Sequence, residues 1–423
     1  MSGRFQTGIA FAETLWTGRS GRSRKAFEDW QKRRLDAWLR QSLPKVDFYR
    51  DAPPRLDQLP IIDKATVMGR FEAFNRARIS AETGWQALEA GGEIDGINIG
   101  ASTGTSGNRG LYAISAPERF RWLGTILAKT LPRFLWHPER VAIILPQSSS
   151  LYESPAKLRQ LHLRFFDLRH GIASWLDELE TFNPTTIVAP PRVLRHLAET
   201  SGRLAPHKLY AGAETLDPID RVVVEKRFGI PLGQIYMATE GLFAVTCAHG
   251  RLHLAEDANF FEFEPIANGL VTPLVTGFRR DFQIMARYRM NDLLRLSSTP
   301  CSCGSPLQTV DEVIGRMDDI FLFTREAGTD VPVTPDILRN SVLDASREIS
   351  DFRLVQEEDG SVTLLLPPEV AETSAEAAIA ALGKTLSALG LVPAISLRRE
   401  RLPLESTRKL RRVESRFRRQ AQS

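Results

Sequence analysis

The amino-acid sequence predicts an α/β protein with a parallel β-sheet in a large N-terminal part and a smaller α+β part after it. Short continuous apolar runs, typical of strands buried on both faces, occur at residues 141–145, 186–189, 208–211 and 234–237. Segments with helical periodicity separate these runs, at residues 175–182, 192–200 and 219–228. Because strands and helices alternate, we expect a parallel sheet covered by helices.

Two amphipathic helices are expected before this sheet, at residues 24–43 and 117–131. After Gly241 the pattern changes to short runs separated by turn residues, which indicates antiparallel strands in a small β-barrel-like part. A polar break at residues 315–319 precedes a β-α-β-β-α-β series. We therefore place a domain boundary near Asp318, with an N-terminal domain of residues 1–317 and a C-terminal domain of residues 318–423.

Length and composition fit a globular protein of two or more domains. The chain has 423 residues, of which 43% are hydrophobic and 25% are charged. No apolar run approaches the roughly eighteen residues that a membrane span needs, and the N-terminus shows no run typical of a signal peptide. Three cysteines are too few for a disulfide framework, so we expect a reducing, cytoplasmic location.

Positive charge is concentrated near the C-terminus. The formal net charge is +4, and residues 398–419 contain ten lysines and arginines against three glutamates. A solvated basic helix, a nucleic-acid-binding tail and a landing site for an acidic ligand or carrier protein are alternative interpretations. Phe417 is the only aromatic residue in this segment, which argues against nucleic acid because base stacking needs interleaved aromatic rings.

A stretch rich in glycine and hydroxyl residues, between two expected strands, is the first candidate binding site. Residues 102–110 contain three glycines, which free the backbone to fold around an anion, and four hydroxyl side chains, which add donors. The Gly-Lys-Ser/Thr ending of a Walker loop is missing. The stretch is therefore either a phosphate cradle of another kind or a flexible surface loop.

Further polar residues follow two of the expected buried strands. Glu214 follows one strand, and the next is followed by Tyr236, Thr239 and Glu240. Ligands of parallel sheets bind outside the carboxyl ends of the strands, so Tyr236 could stack on a base, Thr239 could bond a phosphate oxygen and Glu240 could hold Mg²⁺. Asp292 is a candidate for holding two ribose hydroxyls. The alternatives are a helix cap for Glu214 and a turn residue for Asp292.

Taken together, these motifs resemble those of the acyl-adenylate-forming (ANL) enzymes. They match in order and spacing over nearly the whole chain, at residues 102–110, 212–214, 236–241, 288–292, 315–319 and Lys409. The sequence is more closely similar to phenylacetate–coenzyme A ligases and to the deazaflavin-adenylating (coenzyme F synthetase-like) synthetases of methanogens. Residues 48–50, 56–60, 63–64 and 301–304 also resemble that branch.

The resemblance implies a role for each motif residue. The β- and γ-phosphates of ATP would be wrapped by Ser102, Thr103, Gly104, Thr105, Ser106 and Gly107. The adenine would be lined by Gly212, Ala213, Glu214 and Tyr236, and the ribose would be held by Asp292 with Arg316 nearby. Thr239 would touch the α-phosphate, Glu240 would bind Mg²⁺ and Lys409 would reach the α-phosphate and the carboxylate oxygen. Asp318 would be the hinge of a mobile C-terminal lid domain.

The chain departs from the family pattern at three places. The phosphate loop usually ends in x-Pro-Lys, whereas here it ends in Asn108-Arg109-Gly110, so Arg109 is expected to keep the cation. Thr407-Arg408, rather than glycine, precede the catalytic lysine. Residues 323–332 lack the usual Gly-rich turn that shapes the thiol tunnel. The acceptor is therefore open between coenzyme A, a carrier-protein phosphopantetheine and another acceptor.

A metal site is expected in the antiparallel region. Cys301 and Cys303 lie some fifty residues after Cys247, which has His249 and His253 close by. Three thiolates and one imidazole form a closed, tetrahedral structural zinc site, and buried reduced thiols are the alternative. The phenylacetate ligase branch has zinc with a Cys-x₅-His pairing in this region, so the resemblance favours His253.

The resulting hypothesis is ATP- and Mg²⁺-dependent adenylation of a small carboxylic acid, aryl by resemblance, followed by transfer to the thiol of coenzyme A or phosphopantetheine. The second hypothesis is an adenylyltransferase that leaves AMP on a hydroxylated acceptor. A third, of another class, is a zinc-containing nucleic-acid-binding protein. The expected partners are the acid and, if the acceptor is phosphopantetheine, an acyl carrier protein. Neither a membrane nor nucleic acid is expected as a partner. A homodimer is left open.

Overall fold

The computed structural model describes residues 3–102, 109–145, 160–325, 328–401 and 411–417. The chain falls into two compact units. Unit 1 consists of Met1–Glu264, Pro273–Met290 and Leu296–Glu312. Unit 2 consists of Pro265–Thr272, Asn291–Arg295 and Val313–Ser423. The division at Asp318 and the hinge there stay predictions.

Four helices open unit 1: α1 (Gly3–Thr17), α2 (Arg24–Gln41), α3 (Lys64–Gly69) and α4 (Ala81–Glu89). Helix α2 confirms the helix predicted there, and Ser23 caps it by accepting from the backbone N–H of Ala26. Helix α1 was not predicted. Its buried face contains three threonines, whereas its large apolar residues include the exposed Phe5, Ile9 and Trp16. The spacing of its large apolar residues therefore does not indicate a helix whose apolar face packs against the core.

A small antiparallel sheet follows, made of β1 (Glu93–Ile94), β2 (Ile97–Ala101) and β3 (Leu111–Ser115). Helix α5 (Ala116–Thr130) begins directly after β3 and confirms the helix predicted at 117–131. The carboxylate of Glu118 accepts a 2.9 Å hydrogen bond from the backbone N–H of Ser115, which fixes the start of the helix. Strands β2 and β3 therefore flank the glycine-rich stretch on both sides.

The main sheet of unit 1 is parallel, as predicted. Its strands are β4 (Glu139–Leu145), β5 (Leu161–Asp167), β6 (Thr186–Ala189), β7 (Lys208–Ala211) and β8 (Leu232–Ala238), paired in the order β5-β4-β6-β7-β8. The intervening helices are α6 (Leu176–Phe182), α7 (Pro191–Thr200) and α8 (Pro218–Phe228). Strand β5 was not predicted because polar His162 and Arg164 interrupt its apolar run.

The strands after β8 are β9 (Gly241–Thr246), β10 (Leu252–Leu254), β11 (Phe260–Pro265), β12 (Val271–Thr276), β13 (Tyr288–Arg289), β14 (Asp292–Leu296) and β15 (Thr309–Arg316). The pairs β8–β9, β9–β10, β10–β15, β12–β13 and β12–β14 are all antiparallel, as predicted. The order of these strands is an open path, so the described residues show no closed barrel.

The elements of unit 2 after Asp319 are β16 (Phe321–Thr324), β17 (Asp330–Val333), α9 (Pro335–Leu343), β18 (Arg353–Gln356), β19 (Val362–Leu366), α10 (Glu372–Ala388), β20 (Ile395–Arg399) and β21 (Val413–Ser415). Four of them form a sheet in the order β20-β19-β18-β21 around a core that includes Phe352, Leu364 and Leu382. The prediction of a basic C-terminal helix is wrong for the described part of residues 398–419, because that part contains segments of two strands.

Within the described ranges, no helix combines the length and the apolarity that a membrane span requires.

Candidate functional site

The base of the glycine-rich loop is closed by two hydrogen bonds between its ends. Strands β2 and β3 pair up to Ala101 and Leu111. Beyond that pair, the backbone N–H of Ser102 donates to the carbonyl of Gly110, and the N–H of Gly110 donates to the Ser102 hydroxyl, both at 2.8 Å. The two ends of this stretch are therefore fixed against each other. The predicted residues Thr103, Gly104, Thr105, Ser106 and Gly107 lie outside the described residues.

A small, open cleft lies beside this base, within unit 1. Its lining residues are Lys64, Val67, Met68, Gly110, Leu111, Tyr112, Thr239, Glu240, Met285 and Tyr288. Two motifs that the sequence separates by about 130 residues, the end of the glycine-rich stretch and the turn after β8, thus meet at one cavity. The predicted Thr239 and Glu240 are both in its wall.

Thr239 and Glu240 form the turn between β8 and β9. The Thr239 hydroxyl donates a 2.9 Å hydrogen bond to the Glu240 carboxylate, so the two side chains point to the same place. Carboxylate and hydroxyl oxygens are ligands suited to Mg²⁺ and hydrogen-bond partners suited to phosphate and its bound water. The pair therefore fits a magnesium–phosphate group at the mouth of the cleft.

Lys64 is a cleft residue to which the sequence analysis gave no role. It begins α3, where the Asp63 carboxylate accepts from the backbone N–H of Thr66 at 2.8 Å. The segment before the helix is held by Ile62, whose backbone bonds to Arg287 and Arg289 on either side of Tyr288. Residues 63–64 were part of the resemblance, but a single lysine after Ile-Ile-Asp has no local signature that assigns it a role. Tyr112 was not singled out, and Tyr288 was included only as the first residue of the 288–292 motif.

Tyr236 lies on β8 but does not line the cleft. Its ring is buried, with its centroid 5.5 Å from that of Phe243 and the two planes tilted by 55°. The ring is thus part of the packing between β8 and β9. Its predicted place on the adenine stays a prediction.

Gly212, Ala213 and Glu214 follow β7, as expected. Ala213 has φ of 66°, a left-handed conformation that turns the chain sharply at the strand end. The Glu214 carboxylate forms a buried ion pair with Arg192 at 3.1 Å. The helix-cap alternative for Glu214 is wrong, because Asp217 is the residue that caps α8. Asp217 accepts from the backbone N–H of Ile219 at 3.4 Å.

The predicted ribose and hinge residues belong to unit 2. Asp292 begins β14, and Arg316 ends β15. The two segments are joined next to them, since Asn291 donates from its side chain to Asp318 at 2.6 Å and accepts at its carbonyl from the N–H of Met317 at 3.0 Å. The geometry brings Asp292, Arg316 and Asp318 into one region of unit 2. Lys409 lies outside the described residues.

Next to the predicted hinge, a buried acid pairs with an arginine. The Asp319 carboxylate contacts the guanidinium of Arg411. Burial raises the pKa of the Asp319 carboxyl to about 6, although the charge of Arg411 acts in the opposite direction.

A second cluster, in the antiparallel part of unit 1, contains the predicted metal ligands. The ligand atoms of Cys247, His253, Cys301 and Cys303 all lie within 4.8 Å of one another. The Cys247 and Cys301 sulfurs are 3.7 Å apart, and the Cys303 sulfur is 3.4 Å from Nε2 of His253. A tetrahedral ion with Zn–S bonds of about 2.3 Å would separate two sulfurs by roughly 3.8 Å.

The surroundings of these four residues suit a bound cation. Each sulfur accepts a backbone N–H from the residue two positions later, at 3.4, 3.4 and 3.5 Å. Nδ1 of His253 lies 3.1 Å from the carbonyl oxygen of Leu307, an arrangement that puts the proton on Nδ1 and leaves Nε2 free for a metal. His249 is exposed, and its Nδ1 lies 3.0 Å from the Ser302 hydroxyl. Geometry therefore selects His253 over His249.

Burial shifts the acid–base behaviour of the cluster when no cation is bound. Desolvation raises the pKa of the Cys303 thiol to about 12 and also raises the pKa of the Cys247 thiol. Desolvation lowers the pKa of His253 below its usual value. The pKa of the Cys301 thiol is instead lowered, because its hydrogen bonds with Cys303 and Cys247 outweigh desolvation. A divalent cation would have to displace the thiol protons that remain.

Comparison with known proteins identifies the fold. No protein-family model matches the chain. Protein CapK of Staphylococcus aureus is 25% identical to it over 200 residues, which span 45% of this chain and 44% of that protein. The matched segment is thus less than half the length of this relative.

Similarity to solved structures extends over nearly the whole chain. 2-Hydroxyisobutyryl-CoA ligase, solved in the postadenylation state with R3-HIB-AMP, has a TM-score of 0.69 at 16% identity and covers 95% of this chain and 91% of that chain. An open conformation of the same ligase with 2-HIB-AMP and CoA has a TM-score of 0.60 at 16% identity, with 93% of each chain covered. The ATP-bound chimera RpMatB-BxBclM B3 has a TM-score of 0.51 at 15% identity and covers 71% of this chain and 64% of that chain.

The chain therefore has the fold of the acyl-adenylate-forming enzymes, as its motifs predicted. The placement within the phenylacetate ligase branch stays a prediction.

Proposed function

We propose that the protein is an ATP-dependent ligase that activates a small carboxylic acid as an acyl-adenylate and then transfers the acyl group to a thiol. The observation that carries this proposal is the cleft where the closed base of the glycine-rich loop faces the Thr239–Glu240 turn. Support also comes from the fold, which it shares with a ligase solved with an acyl-AMP and CoA.

In the proposed first step, a carboxylate oxygen attacks the α-phosphorus of ATP and pyrophosphate leaves. Negative charge on the phosphates has to be neutralised and the reactants held in line, whereas a general base is not needed because a carboxylate is already a nucleophile. Glu240 would hold Mg²⁺, which neutralises phosphate charge when bound, and Thr239 would donate to the α-phosphate. Lys409 is proposed to stabilise the charge that develops between the two reactants.

In the proposed second step, a thiolate attacks the acyl carbonyl carbon, and the bond to the AMP oxygen breaks. Coenzyme A is the favoured acceptor because the open form of the structural neighbour carries it, and a carrier-protein phosphopantetheine is the alternative. Asp318 is proposed as the hinge of a mobile domain of residues 318–423. The aryl preference and a cytoplasmic location are parts of the same proposal.

Acid-dependent exchange of pyrophosphate into ATP tests the first step without knowledge of the acceptor. The panel should include phenylacetate, other aryl acids and 2-hydroxyisobutyrate, with an acid-free reaction as the control. Exchange with one class of acid supports the ligase and names its substrate. No exchange with any acid, together with AMP attached to a hydroxylated acceptor, would instead favour the adenylyltransferase. No nucleotide chemistry but tight binding of nucleic acid would favour the third hypothesis.

We also propose that Cys247, His253, Cys301 and Cys303 hold a structural Zn²⁺. The three N–H to sulfur hydrogen bonds stabilise thiolates, and the Leu307 carbonyl orients the imidazole. A set of three thiolates and one imidazole leaves no open position for a substrate, so the ion would stabilise the fold and not take part in the reaction.

A further inference from the structure

Lys64 reaches from α3 to the base of the glycine-rich loop. Its Nζ atom lies 3.4 Å from the Ser102 hydroxyl oxygen, and the half-buried side chain lines the cleft together with Thr239 and Glu240. A lysine ammonium that lines the same cleft as a carboxylate–hydroxyl pair is a compact cation with three donors.

Gly110 provides the space for this lysine. A Cβ atom added at residue 110 would lie 2.8 Å from Cε of Lys64 and 3.7 Å from its Cγ. A methyl group there would meet the flexible end of the lysine side chain, which would have to shift. Gly110 is not among the residues with positive φ, so backbone conformation gives no reason for the glycine. The side chain of Lys64 is the nearest group to a Cβ atom at this position.

Arg109, the cation expected from the sequence, has different surroundings. Its guanidinium lies 5.1 Å from the centroid of the Trp85 ring, and its Nε is 3.4 Å from the backbone carbonyl of Ser102. The residue is exposed and does not line the cleft. Of these two cations beside the loop base, Lys64 is the one that faces the cavity.

We propose that Lys64 is the cation that binds the pyrophosphate end of ATP in this cleft. The inference rests on the proposed function, since it assigns a ligand group to the same cleft. An ammonium at this place neutralises charge on the β- and γ-phosphates in the ground state, and it stabilises pyrophosphate as it leaves. AMP has neither of these phosphates, so its binding does not depend on Lys64.

Equilibrium binding of ATP and of AMP, measured by calorimetry, tests the assignment. Lys64→Ala should weaken ATP binding by at least about tenfold and leave AMP binding within about twofold. Lys64→Arg should restore part of the ATP affinity because the charge is kept. Lys45→Ala, which removes an exposed lysine outside the cleft, is the matched control and should behave as the wild type. Unchanged AMP binding also shows that the variants are folded.

Gly110→Ala supplies a second variant. It should weaken ATP binding in the wild-type background, because it displaces the ammonium, and should add little in the Lys64→Ala background. The inference would be overturned by additive losses in the double variant, by equal losses of ATP and AMP affinity, or by normal ATP affinity of Lys64→Ala. If the wild-type protein still catalysed pyrophosphate exchange in such a case, the proposed function would stand. A wild-type protein that neither bound ATP nor catalysed exchange would overturn both.

Discussion

Nε2 of His253 lies 3.4 Å from the Sγ atom of Cys303, although fifty residues separate them in the chain. If this pair is half of a zinc site, the purified protein should carry about one equivalent of zinc. Cys301→Ser should then lower both the zinc content, measured by mass spectrometry of the metal, and the thermal midpoint, because binding free energy is folding free energy. Pyrophosphate exchange per folded molecule should survive.

His249→Ala is the control for this prediction, since His249 lies outside the ligand group and should leave the zinc content unchanged. His253→Ala should lower it as Cys301→Ser does. A wild-type protein purified without metal, with a thermal midpoint that chelators do not move, would contradict the zinc site.

Glu240→Gln should lower pyrophosphate exchange at least roughly a hundredfold, which corresponds to about 2.7 kcal/mol of transition-state stabilisation. The substitution keeps the shape of the side chain and removes the charge that would hold Mg²⁺. Raising the Mg²⁺ concentration should recover part of the rate. Glu376→Gln, at an exposed position of α10, is the matched control. Near-normal exchange by the Glu240 variant would show that this turn does not hold the ion.

Asp292→Ala should remove a clamp on the ribose hydroxyls. We expect exchange to fall at least roughly a hundredfold and the apparent Michaelis constant for ATP to rise. A nucleotide without its ribose hydroxyls should be a poor substrate for the wild type. The exchange rate with this nucleotide should fall little further in the Asp292→Ala variant, because the contact with the hydroxyls is already missing. Equal losses with both nucleotides would place the role of Asp292 elsewhere.

Lys409→Ala should abolish pyrophosphate exchange but still convert a chemically supplied acyl-adenylate to the thioester. The ammonium is needed where charge develops in adenylation, and a domain that rotates between the steps would carry it away before thiol attack. Asp318→Pro should do the reverse, because proline fixes φ at the proposed hinge.

Lys384→Ala, at an exposed position of α10, is the lysine control and should leave both half-reactions unchanged. Equal loss of both half-reactions in the Lys409 variant would argue against a rotating domain. Full activity would mean that Arg408 or Arg411 is the working cation.

The buried Asp319 should make the stability of the protein depend on pH. Its pKa of about 6 lies above the 3.8 of an exposed aspartate, so the folded state binds the proton more tightly. This contribution to the free energy of unfolding is present below pH 4 and is lost as the pH rises through about 6. Its size is at most about 3 kcal/mol.

Asp319→Asn should flatten this part of the pH profile, as measured by urea unfolding followed by circular dichroism. Asp359 is a useful comparison, because hydrogen bonds from Ser361 lower the pKa of its carboxyl. Asp359→Asn should therefore change the profile in the opposite sense, removing stability that is lost as the pH falls. An Asp319→Asn profile with the wild-type slope would contradict the assignment.

Features with a local chemical signature were predicted from the sequence. The parallel strands were visible because their apolar runs are continuous, and Thr239–Glu240 were visible because they follow such a strand. The Cys247 and Cys301–Cys303 clusters were visible because closely spaced cysteines suggest a metal. Each of these depends on neighbours in the sequence.

Features that depend on distant contacts were missed. Lys64 was part of the resemblance at residues 63–64 but received no role, because its contacts at Ser102 and Gly110 lie about forty residues away in the chain. Helix α1 packs a threonine-rich face inwards, so its apolar residues indicate the wrong side. The helix-cap alternative for Glu214 failed because the partner is Arg192, not a local N–H.

The division into two units has an optical consequence. All seven tryptophans and all six tyrosines belong to the segments of unit 1, so the intrinsic fluorescence of the protein comes from that unit alone. The ring of Trp85 packs against the guanidinium of Arg109 at the end of the glycine-rich stretch, so its fluorescence should change when a ligand binds there. Unit 2 contributes no tryptophan or tyrosine fluorescence, and a single tryptophan introduced at a phenylalanine such as Phe417 would give it such a signal.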